Sequence, residues 1–197
     1  MKVLFLDFDG VLNSAQEVIL HNREERTSLY WRFIQKIVAP IHWRLYKSLG
    51  YWKTTAPLKH FLGRISLRFY STHETFCPIA CSNIQYLLEE VPDLNIVVSS
   101  VWRVQGLKYC ARVLKQNGID ADRLLDKTPG GVGKDADGNP GQNNERGYQV
   151  QEWLLENGPV DKFVIVDDDS DMAHLKPYLV QTDRLHGFMF QDVKKAL

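Results

Sequence analysis

The sequence has few of the features that mark secreted, membrane-spanning or strongly charged proteins. Only three of its 197 residues are cysteines, Cys77, Cys81 and Cys110, and an odd number cannot all pair within one chain. No apolar run approaches the roughly 20 residues of a membrane span. Lys and Arg number 24, as do Asp and Glu, so no net charge draws the whole chain to nucleic acid or to a membrane.

The first residues and the cysteine spacing also argue against secretion and against a zinc site. The apolar segment Met1–Leu6 is interrupted by Asp7 and is too short for a signal peptide, so we expect a cytoplasmic protein with reduced thiols. Cys77 and Cys81 lie four residues apart, but no second Cys/His pair with zinc-ligand spacing accompanies them. We therefore predict that the thiols are core or surface residues.

Three short, nearly continuous apolar segments predict buried parallel strands. They are Lys2–Leu6, Asn95–Val98 and Lys162–Val166, and the polar residues that follow them are Asp7, Ser99 and Asp167. Helical patterns alternate with these segments, over Pro78–Val91, Leu107–Asn117 and Arg146–Asn157. This order predicts an α/β, Rossmann-like fold with a doubly wound parallel sheet. Because functional groups in such sheets gather at the carboxyl ends of the strands, the three polar ends predict one site.

The segment 14–76 does not follow this alternation and predicts a mainly helical cap inserted after the first strand. Thr27–Ala39 has an apolar arc with polar residues opposite it, and Pro40 ends or kinks that helix. The segment holds ten Lys or Arg and four Asp or Glu, a formal charge of +6. A basic lid over an anionic substrate and a merely solvated helix face explain this charge equally well. The predicted core is therefore residues 1–13 and 77–197.

The strongest chemical signal is the segment Asp7–Asn13, with the sequence Asp-Phe-Asp-Gly-Val-Leu-Asn. Two carboxylates two residues apart at a strand end, followed by Gly10, can reach one reacting centre through a local turn. An acidic turn without a catalytic role would have the same sequence. A second acidic group, Asp167–Asp171, has four Asp in five residues, which repel one another unless a cation lies nearby.

Four segments, taken in chain order, resemble the motifs of the haloacid-dehalogenase-like (HAD) phosphatases. The segments are Asp7–Asn13, Val97–Ser100, Arg146 and Val164–Asp171. The resemblance implies that Asp7 is the nucleophile, forming an aspartyl-phosphate, and that Asp9 is the general acid/base. It also implies that Ser99, with Ser100 beside it, and Arg146 bind the phosphoryl group.

Each of the two weaker motifs has an alternative. A serine at a strand end is often only the cap of the next helix, and Arg146 could be a solvated residue of a first helical turn. Lys134 is the second candidate for the cation that neutralises the phosphoryl charge.

The resemblance further implies an Mg²⁺ cofactor, held by the Asp7 carboxylate, the backbone carbonyl of Asp9 and an aspartate of the fourth motif. The paired-acid form of that motif selects Asp168, supported by Asp167, and this is our prediction. The spaced form would select Asp167 and Asp171 instead. Magnesium takes few carboxylates and keeps several waters, which fits so sparse a site.

Finer details resemble a HAD group that includes domains of RNA-repair proteins, although the long basic insertion departs from its compact members. The shared features are Ser-Ser-x-Trp-Arg at 99–103, Thr128-Pro129, Arg146-Gly147 before Trp153-Leu154, and Asp-Asp-Asp-x-Asp at 167–171. We expect a phosphomonoesterase acting on a small phosphorylated metabolite or nucleotide. The alternatives are a nucleic-acid end phosphatase that grips the backbone with its cap, and a non-catalytic module that binds an anion or a partner.

The basic segment 14–76 generates a testable prediction, because its possible targets respond differently to salt. A small phosphorylated substrate carries about two charges, so we expect its KM to rise only gently from low to physiological salt. An oligonucleotide releases counterions and would bind with a steep salt slope. Tight oligonucleotide binding of that kind, lost when four basic residues are neutralised, would contradict the small-molecule prediction. The four residues are Arg32, Lys36, Arg44 and Lys47.

Overall fold

The computed structural model describes residues 1–14, 74, 76–141 and 145–197, and this part of the chain contains five strands and four α-helices. The strands are β1 (Lys2–Leu6), β2 (Leu94–Val98), β3 (Leu124–Lys127), β4 (Lys162–Asp167) and β5 (Leu179–Gln181). The α-helices are α1 (Pro78–Glu90), α2 (Leu107–Gln116), α3 (Arg146–Asn157) and α4 (Phe190–Ala196). Short 3-10 helices cover Val101–Gln105, Ala121–Arg123 and Ala173–Tyr178.

The strands form one parallel sheet in the order β3-β2-β1-β4-β5, with β1 in the middle. Leu6, the last residue of β1, lies beside Val98 of β2 and Val166 of β4. The backbone N–H of Asp7 continues this pairing by donating to the Val166 carbonyl at 3.0 Å. The three central strands therefore end side by side. This sheet with its intervening helices confirms the predicted α/β, Rossmann-like class.

Both faces of the sheet are covered, which explains why the central strands are almost continuously apolar. On one face, Leu4, Leu6, Ile96 and Val98 join a core to which α1, α2 and α4 contribute. On the other face, Val3, Phe5, Val97 and Ile165 pack with Val150 and Trp153 of α3. The Trp153 ring meets the Phe5 ring edge-on, with centroids 5.4 Å apart, and its indole N–H donates to Asp126 at 2.8 Å.

The three predicted strands are confirmed to within one residue at either end, and the three predicted core helices end only one residue earlier or at the predicted position. Within the described ranges, two strands and one α-helix were not predicted, namely β3, β5 and α4. The two strands are edge strands of three or four residues and are only partly buried, so their sequences have no continuous apolar run.

The predicted cap at 14–76 lies almost entirely outside the described residues, so the cap and the division into core and cap stay predictions. The described core belongs to a compact unit of Met1–Glu17 with Thr75–Leu197. None of the helices within the described ranges is long and apolar enough to cross a membrane.

Burial of two thiols generates a prediction about cysteine reactivity. Cys81 is 3% exposed and Cys110 is fully buried, and burial raises the pKa of Cys81 to about 12 and that of Cys110 to about 11. Because the thiolate is the reactive form, we expect both to react with an aromatic disulfide reagent at neutral pH far more slowly in the folded protein than in denaturant. Peptide mapping after timed labelling measures each thiol, with half-buried Cys77 as internal reference. Rapid native labelling of Cys81 or Cys110 would contradict the described packing.

Candidate active site

The candidate site begins with a tight turn directly after β1. The carbonyl of Phe8 accepts hydrogen bonds from the backbone N–H groups of Leu12 and Asn13, at 2.9 and 2.8 Å, and the N–H of Gly10 donates to the Asn13 carbonyl at 3.0 Å. Gly10 has φ +74°, and a Cβ atom there would lie 2.3 Å from the carboxyl carbon of Asp168. Only glycine permits this close approach of the turn to the end of β4.

Asp7 is 3% exposed, and protein groups contact both of its carboxylate oxygens. Oδ1 accepts the backbone N–H of Phe8 at 2.8 Å, and Oδ2 lies 2.8 Å from a guanidinium nitrogen of Arg146. Ser100 also forms a side-chain hydrogen bond with this carboxylate. Burial raises the pKa of Asp7, and the positive charge of Arg146 opposes that rise.

Arg146, the first residue of α3, connects the nucleophile candidate with the acidic end of β4. The same guanidinium nitrogen that contacts Asp7 forms an ion pair with the buried Asp167 and donates to the Ser99 carbonyl at 3.3 Å. The ammonium of Lys134 forms ion pairs with two other carboxylates, Glu152 at 2.7 Å and Glu156 at 2.9 Å. Of the two predicted cations, Arg146 is therefore the one that contacts the acidic cluster.

Asp7, Asp167 and Asp168 form that acidic cluster, in which each offers a carboxylate oxygen within 4.8 Å of the other two. The pKa of Asp167 is raised to about 8, mainly by burial and also by the nearby charge of Asp7, and the ion pair with Arg146 limits this rise. The side chain of Asp168 is only 4% exposed. Three converging hard oxygen ligands with excess negative charge fit a small divalent cation such as Mg²⁺.

Asp171 has a different environment, which bears on the two alternative metal-ligand sets. One of its carboxylate oxygens accepts the backbone N–H of Arg146 at 3.3 Å, and its carbonyl accepts the N–H of Gly147 at 3.1 Å. Asp171 thus satisfies N–H groups at the start of α3. The geometry places Asp168 with Asp7 and Asp167, and it places Asp171 at the helix start.

The two predicted serines are both fully buried but have different contacts. Ser100 bonds to Asp7, and its hydroxyl accepts the backbone N–H of Trp102 at 3.5 Å. Ser99 Oγ has no hydrogen-bond partner among the residues that the structure describes. A buried hydroxyl of this kind retains a donor that an oxygen of a bound ligand can accept.

Two further side chains contact the site aspartates and were not predicted to do so. The indole N–H of Trp102 donates to Asp9 Oδ2 at 2.9 Å. Arg184, in the loop after β5, forms an ion pair with Asp168 and lies 3.5 Å from Asp169. The tryptophan three residues after Ser99 was a visible signal. Nothing in the sequence pointed to Arg184, because this residue follows strand β5, which was not predicted.

One family model accounts for nearly the whole chain. The model, described as the HAD domain in Swiss Army Knife RNA repair proteins, matches residues 3–193 and so includes every predicted site residue. No curated protein and no solved structure matches the chain significantly.

The separate environments of Asp168 and Asp171 generate a prediction about metal binding. We expect Asp168→Ala to weaken Mg²⁺ binding strongly, because it removes a converging carboxylate ligand. Asp171→Ala should leave Mg²⁺ affinity nearly unchanged but destabilise the fold by about 1 kcal/mol, because it removes a cap from α3. Calorimetric Mg²⁺ titration and urea unfolding measure the two effects. If Asp171→Ala weakened Mg²⁺ binding more than Asp168→Ala did, Asp167 and Asp171 would be the ligand pair.

Proposed function

The chain belongs to the family of HAD domains found in Swiss Army Knife RNA repair proteins, and from that membership we propose that it is an Mg²⁺-dependent phosphomonoester hydrolase. The observation that carries the proposal is the buried Asp7 at the end of β1, which contacts Arg146 and shares a cluster with Asp167 and Asp168. Asp9, two residues further, adds a second carboxylate with its own hydrogen-bond donors.

In the first step, a carboxylate oxygen of Asp7 attacks phosphorus, and the bond from phosphorus to the ester oxygen breaks as the aspartyl-phosphate forms. Asp9, in its acid form, gives its proton to the departing oxygen, which leaves as an alcohol. Burial raises the pKa of Asp9, and the hydrogen bond from Trp102 opposes this rise. A raised pKa suits a carboxyl group that must hold a proton near neutral pH.

In the second step, Asp9, now a carboxylate, takes a proton from water as that water attacks phosphorus. The bond between phosphorus and Asp7 breaks, inorganic phosphate leaves, and both aspartates return to their starting states. Arg146 and the Ser99 hydroxyl, which has no partner among the described residues, are the groups that would bind the phosphoryl oxygens. Asp7, Asp168, Asp167 and the Asp9 carbonyl would hold Mg²⁺, which shields the negative charges of nucleophile and phosphate from each other.

Two observations bear on the rival functions. Asp9 argues against a module that only binds anions, because binding alone needs no general acid. The family's description and the +6 charge of residues 14–76 favour a nucleic-acid end phosphatase as the second candidate. Our first choice remains a small phosphorylated metabolite or nucleotide as the substrate.

Replacing the nucleophile tests the reaction itself. Asp7→Asn keeps the shape of the side chain but removes the attacking anion, so we expect turnover of phosphomonoesters to fall by at least about 10³-fold. Turnover is measured with Mg²⁺ on a panel of phosphorylated metabolites, nucleotides and phosphate-ended oligonucleotides.

The matched control is Asp137→Asn, which changes an exposed loop carboxylate outside the site and should leave turnover unchanged. Circular dichroism establishes that the variants are folded. Near-normal turnover by folded Asp7→Asn protein would exclude the aspartyl-phosphate mechanism.

A further inference from the structure

The carboxylate of Asp9 is held differently at its two oxygens. Oδ2 accepts the indole N–H of Trp102 at 2.9 Å, a short and well-formed hydrogen bond. Among the described residues, Oδ1 has only a long contact, 3.4 Å, to the amide nitrogen of Asn13. The two oxygens are therefore not equivalent, although they are chemically identical in a free carboxylate.

Trp102 itself is fixed in place by its surroundings. It is 4% exposed and packs edge-on against Phe8 and Phe76, with ring centroids 5.7 and 5.5 Å away. Its backbone N–H bonds to Ser100, and its carbonyl accepts a hydrogen bond from the Cys110 thiol at 3.6 Å. Close packing on both the ring and the backbone prevents the indole from following a carboxylate that rotates. The indole thus sets where Asp9 lies.

The chemistry of the indole then decides which oxygen of Asp9 can carry a proton. An indole nitrogen only donates, so its partner oxygen must accept and cannot itself bear a hydrogen along that contact. The proton of the acid form is thereby directed to Oδ1. Asn13 can form a hydrogen bond with Oδ1 in both protonation states of Asp9. Its amide NH₂ can donate to the carboxylate, and its amide oxygen can accept from the O–H of the acid. The amide oxygen of Asn13 is buried and has no hydrogen-bond partner within the described part of the chain.

We propose that Trp102 is a positioning residue that holds Asp9 by Oδ2 and so assigns Oδ1 as the oxygen that gives and takes the proton. This inference rests on the general acid/base role of Asp9 in the proposed function. In the first step the O–H bond at Oδ1 breaks and its proton passes to the leaving oxygen. In the second step a proton from the attacking water returns to Oδ1.

The chain contains a matched control for this inference. Trp153 is 2% exposed, and its indole N–H donates to the carboxylate of Asp126 at 2.8 Å, but Asp126 and Trp153 are not part of the site. Trp102→Phe and Trp153→Phe therefore remove the same group from equally buried surroundings. A purely structural role for Trp102 predicts similar effects of the two substitutions on turnover.

The first experiment compares the two variants on 4-nitrophenyl phosphate and on an alkyl phosphate. We expect Trp102→Phe to lower kcat for the alkyl phosphate by roughly 10-fold or more, with little change in KM, and to lower kcat for the aryl phosphate much less. The reason is that an activated leaving group needs little help from an acid. Trp153→Phe should change neither kcat. Equal losses on both substrates with Trp102→Phe would overturn the proposal.

The second experiment combines Trp102→Phe with Asp9→Asn, using the alkyl phosphate, on which Trp102→Phe alone is expected to lower kcat. If Trp102 acts through Asp9, its substitution should lower kcat little further once the carboxylate is gone. Additive losses would overturn the proposal. A normal kcat of Asp9→Asn alone, on both phosphates, would instead reject the acid/base role of Asp9 and the inference with it.

A third variant covers the case in which Trp102→Phe does not fold. Benzothienylalanine at position 102 keeps the shape of the indole and replaces its N–H by sulfur. We expect the same selective loss on the alkyl phosphate as for Trp102→Phe. Unchanged turnover of both phosphates by this folded variant would overturn the proposal.

Discussion

The guanidinium of Arg146 allows two carboxylates, those of Asp7 and Asp167, to share one buried site. Asp7 and Asp167 lie at the ends of adjacent strands and are almost completely removed from water. Burial disfavours both charges, and their mutual repulsion adds to this effect, as the raised pKa of Asp167 illustrates. Arg146 contacts both, and its position as the first residue of α3 fixes it there. The sheet brings the acidic residues together, and this arginine lets them remain together.

Most of the sheet and the central residues of the site could be predicted from the sequence, and the remainder could not for physical reasons. β1, β2 and β4 are buried on both faces, so their apolar runs and the polar residues after them were visible. β3 and β5 are short and partly exposed at the sheet edges. The contacts of Trp102 with Asp9 and of Arg184 with Asp168 depend on which strands are neighbours, which local sequence does not specify.

The proposed reaction depends on the described core and on none of the residues of the segment 14–76. The core contains every group proposed to act on the phosphoryl group, and two glycines let its loops approach closely enough. At Gly10 a Cβ atom would meet Asp168, and at Gly147 it would lie 2.1 Å from the Met172 carbonyl oxygen. These constraints concern chemistry common to any phosphomonoester. If the proposed function is correct, selection among substrates belongs to groups outside the acidic cluster.

The central place of β1 in the sheet has a consequence for biosynthesis. Lys2 pairs with Leu94 on one side and with Lys162 on the other, so β1 is synthesised well before either of its two partner strands. During that interval an apolar strand has no sheet to join and is exposed to aggregation. The central part of the sheet therefore cannot be completed until β4 has been made.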